Sequence, residues 1–236
     1  MKLSVIIPVY NEKNTIKEIL KRIEAVKLNG IEKEIILIDD GSTDGTREIL
    51  SGLASSYKVF FQERNFGKGR AVKKGFENAS GDIVLIQDAD LEYSPDDYPK
   101  LIQPIIDGRS DIVYGSRFLE SVIDKNKIIY KRGYLFSKML NYFSNFLSGL
   151  NLSDTYTCYK VFPRETVGKI APNLKSNRFG IEIELTVYSA KKKMKITEVP
   201  ISYQGRTYKE GKKINWKDGL AAIGHIIRFN LFTKYE

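Results

Sequence analysis

Short apolar segments alternate with amphipathic segments through the first half of this chain, and that alternation limits its possible folds more than any other feature. Segments rich in β-branched and other apolar side chains predict strands at residues 3–9, 34–39, 59–61, 82–87 and 111–114. Side chains at helical spacing predict intervening helices at residues 16–26, 43–53 and 68–78. Ser94 followed by Pro95 is typical of a further helix start. The alternation indicates an α/β fold, a mostly parallel sheet with helices on both faces.

The second half of the chain is less regular. Residues 134–150 carry aliphatic and aromatic side chains over a sector wider than a core-facing stripe needs, and Lys131, Arg132 and Lys138 lie at or near the start of this segment. Both a buried helix and a helix resting among lipid headgroups fit this pattern. Because no internal repeat or Pro/Gly/Ser-rich linker divides the chain, we predict one domain over residues 1–236.

Charge and cysteine content restrict the class of protein. The 236 residues are 42% hydrophobic and carry a formal net charge of +9, which indicates a folded core and an anionic partner: nucleic acid, an acidic membrane surface or a phosphorylated substrate. Cys158 is the only cysteine, which excludes a disulfide framework and fits a reducing, cytoplasmic setting. The most apolar late segment, 220–232, contains His225, Arg228 and Asn230, so we expect no membrane-spanning segment.

Two acidic clusters follow predicted strands, where ligands bind in sheets of this kind. Asp39 and Asp40 end the second strand, and Asp88, Asp90 and Glu92 follow the fourth. In an extended chain these last three side chains would point the same way, about 6 to 7 Å apart per two-residue step. They predict a site for Mg²⁺ or Mn²⁺, which could neutralise a diphosphate leaving group. Helix capping or loop solvation explains three mutually repelling acids less well.

Other nucleotide-binding signatures are missing. The first predicted strand is not followed by a glycine-rich turn, and no Walker sequence occurs. Residues 67–69, Gly-Lys-Gly, leave two interpretations open. Their backbone N–H groups could approach a phosphate, or the glycines could simply permit a turn into a helix.

Six motifs together resemble glycosyltransferase family 2, whose members have the GT-A fold. They are, in chain order, SVIIPVYNE, IDDGSTDGT, NFGKGRAVKKGF, DADLEYSPDD, YGSRF and RTYKEGKKINWKDG. The pattern is most similar to dolichyl-phosphate mannose synthases and bacterial polyprenyl-phosphate sugar transferases, and it covers nearly the whole chain. The resemblance implies that residues 1–118 bind a nucleotide sugar and that residues 119–236 face the acceptor and the membrane.

The resemblance also implies a donor site. The residues that match those holding the base and ribose are Pro8, Tyr10, Glu12, Ile38 and Asp40. The residues that match the motif binding the metal and the donor diphosphate are Asp88, Ala89, Asp90 and Glu92, with Asp88, Asp90 and Glu92 as metal ligands. The mannose synthases usually have Gln at the position of Glu92, so the sugar is not assigned as mannose.

Basic residues match family positions that contact phosphates. Arg117 corresponds to an arginine that contacts phosphate, and Arg132 to one near the acceptor phosphate. Arg206, with Lys212 or Lys213, corresponds to a basic loop over the active site; which lysine contacts phosphate is left open. Together these side chains would supply counter-ions to the donor and acceptor phosphates.

The resemblance implies a metal-dependent, inverting transfer of one sugar from a GDP- or UDP-linked donor to a polyprenyl phosphate, dolichyl or undecaprenyl, at the cytoplasmic membrane surface. A phosphate monoester has a second pKa of about 6 and is already largely ionised, so it needs no general base. Asp90 and Arg117 are the predicted catalytic residues. No QxxRW sequence occurs, which disfavours repeated extension of a polymer.

The sequence leaves two alternatives to this function open. The same chemistry could act on a soluble glycan or protein-linked acceptor. A non-catalytic nucleotide- or RNA-binding module is disfavoured, because aromatic RNA-reading motifs are missing and the acidic cluster would repel a nucleic-acid backbone. We therefore expect no nucleic-acid partner, and the sequence leaves the oligomeric state open.

A few chemically versatile side chains have simpler interpretations. Cys158 is expected to pack in the core, and His225 to be a packed or surface imidazole and not a catalytic base. Trp216 is expected to anchor the last helix by packing, although a membrane interface would also suit its indole. One of Glu182 and Glu184 fits the start of a helix, and a role near the acceptor is the less favoured alternative.

Overall fold

A computed structural model describes residues 1–119, 131–206 and 216–235, with side chains except at 131–133, 216 and 217. The described part contains a seven-stranded sheet in the order β3-β2-β1-β4-β6-β5-β7. Its strands are β1 Lys2–Val9, β2 Glu32–Asp39, β3 Lys58–Phe61, β4 Ile83–Ile86, β5 Ile112–Ser116, β6 Lys160–Pro163 and β7 Ile196–Pro200. Strand β6 runs antiparallel to β4 and β5, whereas the other neighbouring pairs are parallel.

Helices connect and cover the strands. The α-helices are α1 Ile16–Ala25, α2 Thr46–Leu53, α3 Lys68–Asn78, α4 Tyr98–Ile106, α5 Lys131–Ser148, α6 Arg164–Ile170, α7 Ile181–Lys191 and α8 Trp216–Ile227. Short 3-10 helices at Pro95–Asp97 and Ala171–Asn173 precede α4 and follow α6, and a π-helical turn, Arg228–Phe232, extends α8. None of the helices in the described ranges is long and apolar enough to cross a bilayer.

The five strands predicted from the sequence are confirmed as β1 to β5, and the mostly parallel α/β sheet with them. The predicted start of α2 at residue 43 is wrong, because the helix begins at Thr46. Gly45 has a φ of 98°, in the left-handed region, and the Asp44 carboxylate accepts the Thr46 N–H at 3.0 Å. These contacts make residues 43–45 a turn that leads into the helix.

Strand β6 decides which loops meet at the binding edge of the sheet. Because it runs antiparallel between β4 and β5, the residues just before it lie beside the carboxyl ends of those two strands. Asp154 and Cys158 are brought there in this way. The sequence did not predict β6, whose fully buried Lys160 interrupts the apolar pattern expected of a central strand.

Helix α5 has two apolar sides. One side packs with α7 and α8 around a second core cluster, to which α5 contributes Phe136, Leu140, Phe143 and Leu147. The other side is exposed to solvent and carries Leu135, Met139, Tyr142 and Phe146, whose exposed fractions are 71, 51, 75 and 73%. One face of α5 is therefore buried, as the first interpretation predicts, and the other is uncovered, where contact with lipid headgroups stays a prediction.

Candidate active site

The predicted site residues follow the carboxyl ends of four strands. Glu12 comes after β1, Asp40 after β2, Asp88 after β4 and Arg117 after β5. In parallel α/β sheets this edge is where ligands bind. The fold thus collects at one edge residues that are more than one hundred positions apart in the sequence.

The acidic segment after β4 is a turn, which corrects the extended geometry expected from the sequence. Strand β4 ends at Ile86, and Leu91 has a positive φ of 65°. The Asp90 carboxylate accepts the Glu92 N–H at 3.2 Å and so closes the turn. Asp88 consequently faces Lys68, while Asp90 and Glu92 both face Arg206.

Arg206 lies against three carboxylates. Its guanidinium nitrogens are 3.3 Å from Glu12, 3.0 Å from Asp90 and 3.6 Å from Glu92. Glu92 also accepts the Arg206 N–H at 2.9 Å and the Tyr203 hydroxyl at 2.8 Å, which fixes the start of the predicted basic loop. Arg206 is therefore a counter-ion of the acidic cluster in this structure.

Negative charge is concentrated around Asp90. Burial raises its pKa to about 7, and the charges of Asp88 and Glu92 add to this effect, although Arg206 opposes them. A buried carboxylate with like-charged neighbours is relieved by binding a cation. The site therefore suits a positively charged ligand.

A divalent cation fits Asp88 and Asp90 better than it fits all three predicted ligands. Among the described residues, no group of three acidic, histidine or cysteine side chains is placed to hold a metal ion together. Glu92 is engaged by Tyr203 and by the backbone of Arg206. Because Mg²⁺ typically uses one or two carboxylates plus substrate phosphates, Asp88 and Asp90 could hold it with a bound diphosphate.

Asp40 organises the loop that leads into α3. Its carboxylate accepts the N–H groups of Phe66 and Gly67, both at 2.8 Å, and the Gln62 side-chain amide at 2.9 Å. Burial raises the pKa of Asp40, and the two backbone hydrogen bonds oppose that shift. The structure thus shows this predicted ribose-binding residue holding a loop at the edge of the site.

The Gly-Lys-Gly segment is a close packing point. The Gly67 N–H is taken by Asp40, and a Cβ at Gly67 would lie 2.5 Å from the Asn177 carbonyl oxygen. A Cβ at Gly69 would lie 2.3 Å from the Ser176 carbonyl oxygen. These contacts favour the structural interpretation, in which the glycines let another chain segment pass close to α3.

The remaining predicted donor residues lie along the same edge. Pro8 on β1 is in register with Ile38 on β2, and Tyr10 follows β1 as a half-buried side chain. Ile38 and Ala89 are buried, with 0 and 3% exposure, so a bound donor would meet mainly their backbone.

Arg117 is held by a residue that the sequence analysis missed. Its Nε and Nη2 atoms donate to the two carboxylate oxygens of Asp154 at 2.7 and 2.9 Å, and its guanidinium lies 5.1 Å from the Tyr203 ring centroid. Burial alone would lower the pKa of Arg117, but Asp154 raises it well above its usual range. No local motif identifies Asp154, since its role depends on the antiparallel insertion of β6.

The side chains of three predicted basic residues lie outside the described part of the structure. Arg132 lies in the first turn of α5, and its side chain is outside the described part of the structure. Lys212 and Lys213 lie in residues 207–215, which are also outside it. The described phosphate-binding candidates are therefore Arg117 and Arg206.

Comparison with known proteins agrees with this architecture. The family model described as Glycosyl transferase family 2 matches residues 4–170. The chain belongs to glycosyl transferase family 2. The family membership and the GT-A type α/β fold implied by the sequence resemblance are both confirmed.

Three relatives resemble the chain, two of them over most of its length. It is 33% identical to a dolichol-phosphate mannosyltransferase of Pyrococcus furiosus over 97% of this chain, which spans 63% of that relative. It is 29% identical to an uncharacterised protein of Methanocaldococcus jannaschii, covering 97% of this chain and 92% of that protein. Over 45% of this chain and 33% of the relative, it is 40% identical to an undecaprenyl-phosphate 4-deoxy-4-formamido-L-arabinose transferase of Pseudomonas aeruginosa.

Solved structures show the same fold. Glucosyl-3-phosphoglycerate synthase from Mycobacterium tuberculosis, crystallised with phosphoglyceric acid, aligns with a TM-score of 0.72 at 20% identity. The alignment covers 99% of this chain and 81% of that one. A structure of the same synthase with Mn²⁺, uridine diphosphate and phosphoglyceric acid aligns with a TM-score of 0.71 and 21% identity, covering 99% and 80% of the two chains.

The side chains expected to be structural occupy packed positions. Cys158 is buried, and the His225 ring stacks on Phe229 with centroids 5.8 Å apart. Glu182 and Glu184 both lie in the first turn of α7, as one interpretation predicted. Glu184 accepts the N–H groups of residues 175 and 176, whereas Glu182 points to Lys68. The side chain of Trp216 is outside the described part.

Proposed function

We propose that this family 2 protein is a metal-dependent inverting glycosyltransferase that moves one sugar from a nucleotide sugar to a polyprenyl phosphate at the cytoplasmic face of a membrane. The observation that carries the proposal is the placement of Asp88 and Asp90 at the carboxyl end of β4, with Arg117 after β5 at the same sheet edge. The 33% identity to the Pyrococcus furiosus relative supports the lipid phosphate as the acceptor class.

In the proposed donor complex, the base and ribose lie along the ends of β1 and β2, near Tyr10, Glu12 and Asp40. Asp88 and Asp90 would hold Mg²⁺ or Mn²⁺, which when bound supplies positive charge to the leaving diphosphate. Arg206, now paired with Glu12 and Asp90, supplies a further cation at the same place. The proposed donor is a GDP- or UDP-linked sugar.

The proposed reaction needs positioning more than proton transfer. An oxygen of the acceptor phosphate attacks the anomeric carbon, a new C–O bond forms on the opposite side, and the bond to the nucleoside diphosphate breaks. The electron pair leaves with the diphosphate, and no proton has to be removed from an ionised phosphate monoester. Arg117, oriented by Asp154, is proposed to bring the acceptor phosphate to the donor, together with Arg132.

A lipid acceptor is supported by the uncovered side of α5. Leu135, Met139, Tyr142 and Phe146 recur at helical spacing and are more than half exposed. Lys138, on the same helix, lies 4.7 Å from the Phe118 ring centroid and adds positive charge nearby. A helix with apolar and aromatic side chains on its outer face and basic residues beside them suits an anionic membrane interface.

Transfer of label to an extractable lipid tests the proposal. The protein is incubated with Mn²⁺, radiolabelled GDP- or UDP-linked hexoses, and anionic vesicles containing polyprenyl phosphate. We expect label in the organic phase and an equal amount of released nucleoside diphosphate. Vesicles containing the matching polyprenol are the control, and they should remain unlabelled because an alcohol needs a base.

The same assay decides between acceptor classes. Equal labelling of polyprenol and polyprenyl phosphate would contradict the proposed phosphate nucleophile. Label confined to an added soluble glycan or protein, with none in the lipid, would establish the alternative of a soluble acceptor.

A further inference from the structure

Lys68 is a largely buried cation that has no role in the reaction proposed above. Its Nζ lies 2.8 Å from the Asp88 Oδ1 atom and 2.8 Å from the Glu182 Oε1 atom. The exposed fractions of the three side chains are 14, 21 and 10%, in the order Lys68, Asp88 and Glu182. This triad joins the loop after β4 to the first turn of α7.

The position of Lys68 in its helix explains why it needs carboxylate partners. It is the first residue of α3, where the positive end of the helix dipole disfavours a cation. Burial alone would lower the pKa of Lys68, but Asp88 and Glu182 raise it well above its ordinary value. The lysine is therefore charged, and its charge is held in place by two carboxylates from distant parts of the chain.

Glu182 is less completely paired than a purely structural carboxylate. Its Oε1 atom binds Lys68, while its Oε2 atom is buried without a hydrogen-bond partner among the described residues. Glu184, two residues further along α7, instead accepts two backbone N–H groups. Lys68 is thus the group that ties Glu182 to the active site.

We propose that Lys68 is a positioning residue of the donor site, which fixes the Asp88 carboxylate through the ion pair and anchors it to α7 through Glu182. This rests on the proposed function, in which Asp88 and Asp90 hold a divalent cation. A carboxylate oriented in advance loses less rotational freedom when the cation and the diphosphate bind. The ammonium also offsets part of the repulsion between Asp88 and Asp90.

Direct contact of Lys68 with the donor phosphate is the competing role, and it makes a different prediction. A lysine that binds phosphate strengthens nucleotide binding with or without metal. A lysine that orients Asp88 acts only on the part of nucleotide binding that depends on metal. Nucleotide affinity measured with and without Mn²⁺ therefore separates the two roles.

The test uses calorimetric titration of the full chain with Mn²⁺ alone, with UDP or GDP alone, and with nucleotide in saturating Mn²⁺. Lys68→Met removes the charge at similar length, Lys68→Arg retains it, and Glu182→Gln weakens the anchor. Lys74→Met is the matched control, because Lys74 is an exposed lysine of the same helix that lies over the Phe60 ring.

For Lys68→Met we expect Mn²⁺ affinity and Mn²⁺-dependent nucleotide affinity to fall by about 10- to 100-fold, the usual effect of removing a residue that orients a metal ligand. Metal-free nucleotide affinity should be unchanged, Lys68→Arg should recover part of the loss, and Lys74→Met should match the unmodified protein. Glu182→Gln should give a smaller loss in the same direction.

Unchanged Mn²⁺ affinity in a folded Lys68→Met protein overturns the proposal, as does a loss confined to metal-free nucleotide binding. If Lys68→Met does not fold, Glu182→Gln decides, and unchanged Mn²⁺ affinity in that variant overturns the positioning role. Failure of the unmodified protein to bind Mn²⁺ and nucleotide would instead contradict the proposed function, so the two failures are distinguishable.

Discussion

Arg117 and Asp154 form a two-pronged ion pair, with Nε to Oδ2 at 2.7 Å and Nη2 to Oδ1 at 2.9 Å, which joins the end of β5 to the loop before β6. The Asp154 side chain is 1% exposed, and it also accepts the Arg117 N–H at 3.1 Å. The arginine assigned to phosphate binding is therefore oriented before any phosphate arrives. Its charge is partly balanced by Asp154.

Replacing Asp154 by Asn should destabilise the fold and weaken sugar transfer. The change leaves the Arg117 guanidinium buried without its counter-charge, and breaking such a pair costs about 3 to 5 kcal/mol. Urea unfolding at pH 7 measures the loss. Asp107→Asn removes an exposed ion pair with Arg109 and should cost less than about 1 kcal/mol. Equal losses in the two variants would contradict the importance given to the Arg117 pair.

Replacing Asp90 by Asn should abolish transfer while leaving the fold intact. Asp90 is one of two carboxylates proposed to hold the cation, and loss of a preorganised charge in an active site typically costs roughly a hundredfold or more in kcat. Circular dichroism and thermal unfolding serve as the fold check. Normal turnover by this variant would show that the acidic cluster is not the catalytic centre.

Replacing Glu34 by Gln should reduce stability in a pH-dependent way. Burial alone would raise the pKa of Glu34, but hydrogen bonds from Lys58, Ser4 and Ser80 outweigh it and hold the pKa well below its usual range. The ionised group therefore stabilises the fold above its unfolded pKa of about 4.3, and this contribution is lost as the pH falls further towards the depressed folded value.

Urea unfolding of the Glu34 variant and the unmodified protein from pH 7 down to pH 3 tests that sign. The difference in unfolding free energy should be constant near neutrality and should shrink below about pH 4. Glu77→Gln changes an exposed glutamate and should show no such trend. A gap for Glu34→Gln that widened as the pH fell would contradict the depressed pKa.

Replacing both Tyr142 and Phe146 by Ser should weaken binding to anionic vesicles. The two side chains are 75 and 73% exposed on the uncovered side of α5, so the fold should tolerate the change. Insertion of each ring into the interface is worth about 1.5 to 3 kcal/mol, so loss of both rings should lower vesicle affinity by about a hundredfold or more. Flotation measures this, with Phe61→Ser, an exposed aromatic of the edge strand β3, as the control.

Two glycine-to-alanine changes should have opposite effects on stability. In Gly69→Ala the new Cβ would lie 2.3 Å from the Ser176 carbonyl oxygen, and such overpacking typically costs about 1 to 3 kcal/mol. In Gly52→Ala, within the exposed side of α2, nothing lies within 4 Å, and the helix should gain about 0.5 to 1 kcal/mol. Denaturant midpoints compare the two, and a stabilising Gly69→Ala would refute the close packing against α3.

Local patterns predicted the first half of the fold because its strands and helices follow simple periodicities. The bounds of α3 agree with the prediction residue for residue, and the Ser94 hydroxyl accepts the Asp96 N–H as the cap signature implied. The later strands β6 and β7 do not show such a regular periodicity. The half-exposed β7 ends in Pro200, and β6 begins with a lysine whose Nζ donates to the carbonyls of Thr155 and Thr157.

The Lys160 side chain shows why such a strand escapes prediction. It is 1% exposed, lies 4.5 Å from the Tyr114 ring centroid, and burial lowers its pKa to about 8. A charged residue in a central strand is compatible with burial only when carbonyls and a ring receive it. The carbonyls of Thr155 and Thr157 are close in the sequence, but the Tyr114 ring comes from β5, and that pairing is set by the three-dimensional fold.

The candidate site divides in the same way. Asp88, Asp90, Arg117 and Lys68 stand in motifs that the sequence displays. The partners of Lys68, and the contacts of Asp154 and Tyr203, are instead made across the sheet edge and no motif predicts them. The turn at Leu91 could not be predicted from the sequence either, because a positive φ at leucine is rare and hydrophobic periodicity does not indicate it.

The antiparallel insertion of β6 between β4 and β5 sets the order in which the strands of the sheet can pair as the chain is synthesised. The strands β1 to β4 pair with one another using only the first 86 residues, whereas β5 pairs with β6 and β7 in the described sheet. During synthesis, β5 can therefore join the sheet next to β4 only after residues 160–163, which form β6 between them, have been made. Arg117 can consequently pair with Asp154 only after the strands β1 to β4 are available, so the sheet edge proposed to bind the nucleotide can form before the arginine proposed to bind the acceptor is held in place.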